Sequence, residues 1–323
     1  MLDTPFNARI RHFRQLRSIR RHQFKDLRSL GPVARGGIIA IIIARDEILR
    51  LPDCLRHHRA LGVDRFVVVD NGSTDGTTDY ICDQPDVDVI YTENSYLEAN
   101  RAMGLRHHIV SRYGFSRWYL LVDADELLVY DGMKEHDLHK LTDMLKRRRI
   151  MLLHATLIDM YQQEPFREPG FQSGDSMLSA CQYFDAESYI LAERFNKNLK
   201  LQGGPRVRFL STPNWTFDNA LSKYPLVFWH KGVNARSIHN FGIPLSRRPP
   251  SGALLHFKFL DDFNRRVEKA LKEQQHWNRS EQYQQYKEAK LGPSKLFYEG
   301  SRKYVGPESL LSMRLMTPIF YEH

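Results

Sequence analysis

From Ile38 onward the chain alternates continuous apolar runs with amphipathic stretches. Ile38-Ile39-Ala40-Ile41-Ile42-Ile43 is the β-branched run of a strand buried on both faces. Residues 46–61 carry Ile48, Leu51, Leu55 and His58 on one side, which predicts a helix with Pro52 in its early turn and Gly62 at its end. A second buried strand is expected over 65–69. Asn71-Gly72-Ser73-Thr74-Asp75-Gly76 is dense turn chemistry, and a short helix to about Cys82 follows it, with Asp75 or Thr74 as N-cap. The pattern continues with a strand at 87–91, a helix at 96–113 and a strand at 118–122 that runs into Asp123.

Strands separated by helices imply parallel βαβ units, and open sheets of this kind bind ligands beyond the carboxyl ends of their strands. Three polar clusters fall at such ends: Arg45-Asp46-Glu47, Asp70-Asn71-Gly72 and Asp123-Ala124-Asp125-Glu126. The spacing predicts that they share one rim. After about residue 150 the periodicity weakens. A strand is expected at 151–160, a loop at Gly203-Gly204-Pro205-Arg206, an extended segment at 254–259 and charged helix over 261–290. The expected organisation is a basic arm at 1–35, an α/β domain at 36–260 with a donor half (36–150) and an acceptor half (151–260), and a helical extension at 261–323.

Charge changes the picture at one end only. Residues 1–35 contain nine Lys and Arg against Asp3 and Asp26, so +7 of the net +9 lies there. Ile10, Phe13, Leu16, Phe24, Leu27 and Leu30 are interleaved with these bases. Such a basic amphipathic segment fits peripheral contact with an anionic membrane, as well as a solvated helix with some core contacts. Nucleic acid is not an expected partner, because no recognition module stands behind the basic patch. No apolar run approaches the roughly 18–20 residues that span a bilayer, and none reads as a signal peptide. Cys54, Cys82 and Cys181 form no CxxC pair and fit a reduced cytoplasmic setting. Of the Asn-x-Ser/Thr sequons at Asn71, Asn214 and Asn278, the first lies inside the expected ligand rim, where a glycan would obstruct it.

The chemistry starts with Asp123 and Asp125. Two carboxylates at spacing two after a strand can hold a divalent cation, and that cation a diphosphate; Mn2+ and Mg2+ suit the task. An Asp-x-Asp alone is common to many chains. Combined with strand one plus Ala44-Arg45-Asp46-Glu47, then Val67-Val68-Val69-Asp70-Asn71-Gly72-Ser73-Thr74-Asp75-Gly76, then Leu121-Val122-Asp123-Ala124-Asp125-Glu126, it resembles the family-2 glycosyltransferases and their relatives, which share the GT-A fold. The form of these motifs is similar to a bacterial branch of that superfamily. The resemblance implies a Rossmann-like, mostly parallel sheet flanked by helices, with an acceptor-side elaboration after it.

The resemblance also implies roles. Ala44, Arg45 and Glu47 would lie near the nucleotide base, Asp70 would contact base or ribose with Asn71 beside it, and Asp123 and Asp125 would engage ribose, metal and diphosphate. Many members carry Arg-Asn-x-Gly before the Asp-x-Asp strand. Here the segment reads Glu98-Ala99-Asn100-Arg101-Ala102-Met103-Gly104, so Asn100 and Arg101 carry over only as donor-site candidates. His256 is the expected additional metal ligand, with His239 as the alternative. Arg206 and Lys258 are candidates to offset the leaving diphosphate. An inverting reaction needs a carboxylate base. Asp159, Asp185, Glu187 and Asp218 are available, and Glu187 is selected because it follows Tyr183-Phe184.

The function so implied is transfer of a sugar from a nucleotide-sugar, UDP-linked, to a saccharide or lipid-linked saccharide in surface polysaccharide or glycolipid synthesis. It would take place in the cytoplasm, with residues 1–35 resting on the inner face of the plasma membrane. A sugar nucleotidyltransferase is the rival enzyme, but Arg45-Asp46-Glu47 stands where its Gly-rich basic loop belongs, and neither a Walker A motif nor GxGxxG is present. A non-catalytic membrane or nucleic-acid binding protein is the other rival.

Overall fold

The computed structural model describes residues 5–19, 23–93, 102–187, 189–194, 198–211, 217, 219–233, 235–241, 251–273 and 281–320. In chain order the first elements are α1 (Pro5–Ser18), β1 (Lys25–Arg28), β2 (Ile39–Ala44), α2 (Leu51–Ala60), β3 (Arg65–Asp70), α3 (Thr77–Cys82), β4 (Val87–Tyr91), α4 (Met103–Tyr113), β5 (Arg117–Leu121), β6 (Glu126–Val129) and α5 (Leu138–Arg147). They are followed by β7 (Leu152–Asp159), α6 (Met177–Ala180), β8 (Tyr183–Asp185), β9 (Ile190–Arg194), β10 (Asn198–Gln202), α7 (Gly204–Leu210), β11 (Ser222–Trp229), β12 (Ser251–His256), α8 (Phe263–Glu273), α9 (Glu281–Glu288), β13 (Ser301–Lys303) and α10 (Pro307–Ser312). The chain packs as two units. One holds Met1–Ala124, Met133–His154 and Tyr224–Ile243; the other holds Asp125–Gly132, Ala155–Lys223 and Pro244–His323. No described helix is long and apolar enough to cross a membrane.

The first unit is built on parallel strands. β2 pairs in parallel with β3 and β5, and β3 with β4, giving the Rossmann-like core that the alternating pattern predicts. Ile39, Ala40, Ile41 and Ile42 of β2 are fully buried, as a strand covered on both faces must be. Antiparallel strands extend the core, β1 beside β4 and β11 beside β5. The basic arm is therefore part of the fold: β1 comes from its last third, Ile19 enters the core, and Asp26 makes a two-pronged ion pair with Arg112 of α4 at 2.5 and 2.8 Å.

Local chemistry sets the element ends. α2 begins at Leu51 rather than at residue 46, because Asp46 adopts φ +54° and residues 47–50 form a turn; Pro52 then occupies the first helical turn, where its missing N–H costs nothing. α3 starts from Gly76 in the left-handed region, with no side-chain bond from the N-cap residue itself; Asp75, the expected cap, instead accepts the Thr77 N–H at 3.0 Å. α4 begins at Met103, and the earlier part of the expected helix lies outside the described residues.

In the second unit β12 runs antiparallel to β6, with His256 opposite Glu126 and Ala253 opposite Val129. A Cβ at Gly252 would stand 2.6 Å from the Val129 carbonyl oxygen, so only glycine permits this approach. The end of β7 lies beside β12, the Met160 N–H donating to the His256 carbonyl at 2.9 Å. The expected loop at Gly203–Arg206 is instead the start of α7: Gly203 and Gly204 turn the chain at positive φ, and Pro205 sits in the first turn of the helix. Phe259, Phe263 and Val267 pack with Tyr161, Val207, Leu210 and Tyr286 in an apolar cluster of this unit.

Candidate functional site

At the carboxyl ends of β2 and β3, Ala44 and Asp70 are register partners, so the two polar clusters leave the sheet level with each other. Asp70 is fully buried. Its Oδ1 accepts the Ser73 N–H at 3.0 Å and the Ser73 hydroxyl at 2.6 Å, and its Oδ2 accepts the Thr78 hydroxyl. Asn71 donates its side-chain amide to the Thr92 carbonyl at 3.0 Å and its backbone N–H to the Ala44 carbonyl at 2.9 Å. Both side chains thus shape the turn. The turn is then laced to the Arg45–Ile48 segment. Asp46 accepts the Thr74 N–H at 2.7 Å, the Asp46 N–H reaches Ser73 Oγ at 3.0 Å, the Glu47 N–H reaches Thr77 Oγ1 at 3.0 Å, and the Ile48 N–H reaches Asp75 at 3.1 Å. Glu47 lies 3.8 Å from the buried Arg50, and Arg45 lies 3.9 Å from Asp46. These bonds preorganise a rim of backbone and hydroxyl groups around the sequence motifs.

Asp123 follows β5 with its side chain 41% exposed, and the buried Arg106 of α4 points a guanidinium nitrogen at it from 3.7 Å. This arginine was not anticipated. It lies on a helix whose other buried positions are mostly apolar, and residue type alone does not separate it from a solvated base.

In the second unit four side chains form a line. Arg206 Nε donates to Asp159 Oδ2 at 2.7 Å. Asp159 Oδ1 meets His256 Nδ1 at 2.6 Å, and His256 Nε2 lies 3.3 Å from Asp125. Burial alone would raise the Asp159 pKa, but Arg206 and His256 overcome it and hold Asp159 at about 2. An ionised Asp159 fixes the Nδ1–H form of His256, so Nε2 faces Asp125. Burial likewise opposes a charge on His256, but Asp125 and Asp159 outweigh it and its pKa is raised. The imidazole nitrogen beside Asp125 therefore sits where a positive charge is favoured, be it a proton or a metal ion.

Ligand atoms of Asp125, Glu126 and His256 all lie within 4.8 Å of one another. Glu126 is buried and paired with Lys223 at short range, so Asp125 and His256 are the pair that could hold a cation. A histidine whose far nitrogen is held by a carboxylate is the usual outer arrangement of metal sites, and a donor set of carboxylate and imidazole can hold a divalent metal ion.

The remaining candidates fall elsewhere. Arg206 is buried behind Asp159, and Lys258 lies over the rings of Tyr283 and Tyr286 at 5.0 and 5.5 Å. His239 is exposed in the first unit, in the bridge that joins Ser237 to Asn240. Asp185 is fully buried and held by Arg208 at 3.0 Å and by the Tyr161 hydroxyl at 2.6 Å, whereas Glu187 is exposed. Asn100, Arg101 and Asp218 lie outside the described residues.

Residues 39–143 match the model of glycosyl transferase family 2, the stretch that contains all three polar clusters. No curated protein sequence matches the chain. Among solved structures it is similar to the mannosyltransferase PcManGT from Pyrobaculum calidifontis, determined in complex with GDP-Man and Mn2+. That likeness has 18% identity over 50% of this chain and 45% of the other, with a TM-score of 0.27. It is also similar to a 4-diphosphocytidyl-2C-methyl-D-erythritol synthase, at 12% identity over 65% of this chain and 80% of the other, with a TM-score of 0.31. Residues 39–143 thus carry a match to glycosyl transferase family 2, and they lie on a mostly parallel, Rossmann-like α/β sheet of GT-A type.

Proposed function

We propose that the chain is a glycosyltransferase that takes a sugar from a nucleotide-sugar, UDP-linked, with Mn2+ or Mg2+ as cofactor. The acceptor is a saccharide or lipid-linked saccharide of a surface polysaccharide or glycolipid. The observation that carries the metal-dependent reading is the Arg206–Asp159–His256–Asp125 line, a buried and oriented set of donors ending at the Asp-x-Asp motif. Asp125 and His256 Nε2 would hold the cation, which would neutralise charge developing on the leaving diphosphate.

The chain's own residues do the rest. Asp159 keeps His256 in the ligating tautomer, and Arg206 keeps Asp159 ionised. Asp123, exposed and beside Arg106, would meet ribose or diphosphate. The Ala44–Glu47 segment and the Asp70–Asn71 turn receive the nucleoside, through the rim that Asp70 and Asp46 hold in shape. Lys258, whose charge the Tyr283 and Tyr286 phenols favour against the opposing effect of burial, supplies positive potential. Asn100 and Arg101 complete the donor set. Glu187, which is exposed, serves as base toward the acceptor hydroxyl in an inverting displacement. The enzyme works in the cytoplasm, with residues 1–35 against the inner face of the membrane.

The test is transfer of radiolabelled sugar from UDP-, GDP- and CMP-sugars, measured with Mn2+ and with chelator, in the wild type and in Asp125→Ala. Loss of transfer in the variant with an unchanged melting curve supports the reading. Retained activity in Asp125→Ala refutes the metal assignment.

A further inference from the structure

Within the first unit, α1, the segment before β5 and the turn after β11 enclose a cavity of about 150 Å³. This is below the roughly 300 Å³ at which pockets for drug-sized ligands begin, and it suits a group the size of a lipid headgroup. Its floor is aromatic, formed by Phe115 and by Trp229, which is only 1% exposed. Its rim carries Arg9, His230 and Lys231, and none of the described residues lining it is acidic.

The hydrogen bonding decides what this rim offers. The Gly232 N–H donates to His230 Nδ1 at 3.0 Å, so the proton of a neutral His230 ring is on Nε2, and that nitrogen is a donor. His12, also on the lining, is occupied by His107 at 2.7 Å and Ser111 at 3.1 Å and contributes its ring edge. Burial lowers the pKa of both His12 and His230, so the standing charges at neutral pH are those of Arg9 and Lys231. The cavity thus presents two cations and one neutral donor over an apolar floor, which is complementary to a phosphate with carbon attached.

A second observation points to the same ligand. Arg9, His12 and Phe13 stand at helical spacings of three and four and share a face of α1. Phe13 on that face is 68% exposed and borders the cavity. An exposed aromatic beside a basic rim is the arrangement of an interfacial anchor, the ring entering the acyl boundary while the bases meet headgroups.

We propose that this cavity docks the headgroup of an anionic phospholipid, with Arg9, His230 and Lys231 receiving the phosphate and Phe13 entering the bilayer surface. The inference builds on the membrane reading of residues 1–35 and is independent of the transferase reading. Lys231 provides the discriminating test, because it lies outside the basic arm.

The full chain would be sedimented with mixed phosphatidylglycerol–phosphatidylcholine vesicles and with pure phosphatidylcholine vesicles. Lys231→Glu, Phe13→Ser and the exposed control Lys146→Glu would be run alongside, each checked for an unchanged melting curve. Binding to the mixed vesicles alone is expected. At about 1 kcal/mol per base near an anionic surface, reversing Lys231 should weaken partitioning roughly tenfold or more. Phe13→Ser should weaken it several-fold, and Lys146→Glu should leave it within about twofold. Equal losses for Lys231→Glu and Lys146→Glu, or no loss for Phe13→Ser, would overturn the headgroup site while leaving general adsorption by the arm. No partitioning of the wild type would overturn both, and the transfer assay would be unaffected by either result.

Discussion

Replacing Asp159 with Asn separates two jobs that its carboxylate performs. One oxygen fixes the His256 tautomer across 2.6 Å, and the other neutralises Arg206 across 2.7 Å. Loss of an outer-shell carboxylate typically lowers metal affinity about 10–100-fold, or roughly 1.4–2.7 kcal/mol. Loss of one partner of a buried ion pair costs more, about 3–5 kcal/mol, because a buried charge is left uncompensated. Asp159 and Arg206 are both buried, so the larger figure applies to stability with little discount for solvent. The assay is calorimetric titration of Mn2+ in the presence of UDP, paired with urea unfolding. Asp159→Asn should lose metal affinity and stability together. Adding Arg206→Met should recover most of the stability, since no buried guanidinium remains, and none of the affinity. A double variant that regains metal affinity with stability would refute the orienting role. So would an Asp159→Asn protein that binds Mn2+ within about twofold of the wild type.

Two further predictions concern the fold. Gly252→Ala would drive a methyl group against the Val129 carbonyl oxygen at 2.6 Å, and overpacking of this kind costs about 1–3 kcal/mol, to be read as a lower denaturation midpoint. An unchanged midpoint would mean that β12 and β6 part easily. Burial lowers the pKa of His107 to about 3 and of His154 to about 4, so the folded chain refuses protons that the unfolded chain takes. Their contribution is complete above pH 6.5 and is lost as the pH falls from there toward the folded values. That is about 2 kcal/mol per histidine between pH 6.5 and 5. Urea unfolding at pH 7.5 and 5 should show the loss, and His107→Phe should reduce it; a pH-independent stability over this range would contradict the buried neutral state.

The first half of the fold was legible because its signals are local. Buried parallel strands leave unbroken apolar runs, and β2, β3, β4 and β5 fall within a residue of where those runs predict them. Their polar ends follow from the same count. In the second half the strand at Leu152–Asp159 was legible, but the side-chain meetings were not, because they are set by pairing at long range. Asp159 and His256 are 97 residues apart and meet only because β7 ends beside β12; Glu126 and Lys223, also 97 residues apart, come from β6 and β11. No local period encodes such a meeting. Asp159 was therefore read as one of four interchangeable carboxylates, and Lys223 was not singled out at all. The arm shows a related limit: Lys25–Arg28 looks like a solvated charge run, yet its backbone completes an edge strand against β4, which side-chain patterning does not report.

The central claim is that a nucleotide diphosphate binds through a cation held at the Asp-x-Asp motif. The most direct measurement is a thermal-shift panel of UDP, GDP, CMP and dTDP, each with and without Mn2+, on the wild type and on Asp125→Ala. A ligand at a hundred times its Kd adds about 2.7 kcal/mol to the folded state, which such a scan resolves. The account predicts a rise with UDP that needs Mn2+ and vanishes in Asp125→Ala. A rise that persists without metal or in the variant, or no rise with any nucleotide, would contradict it.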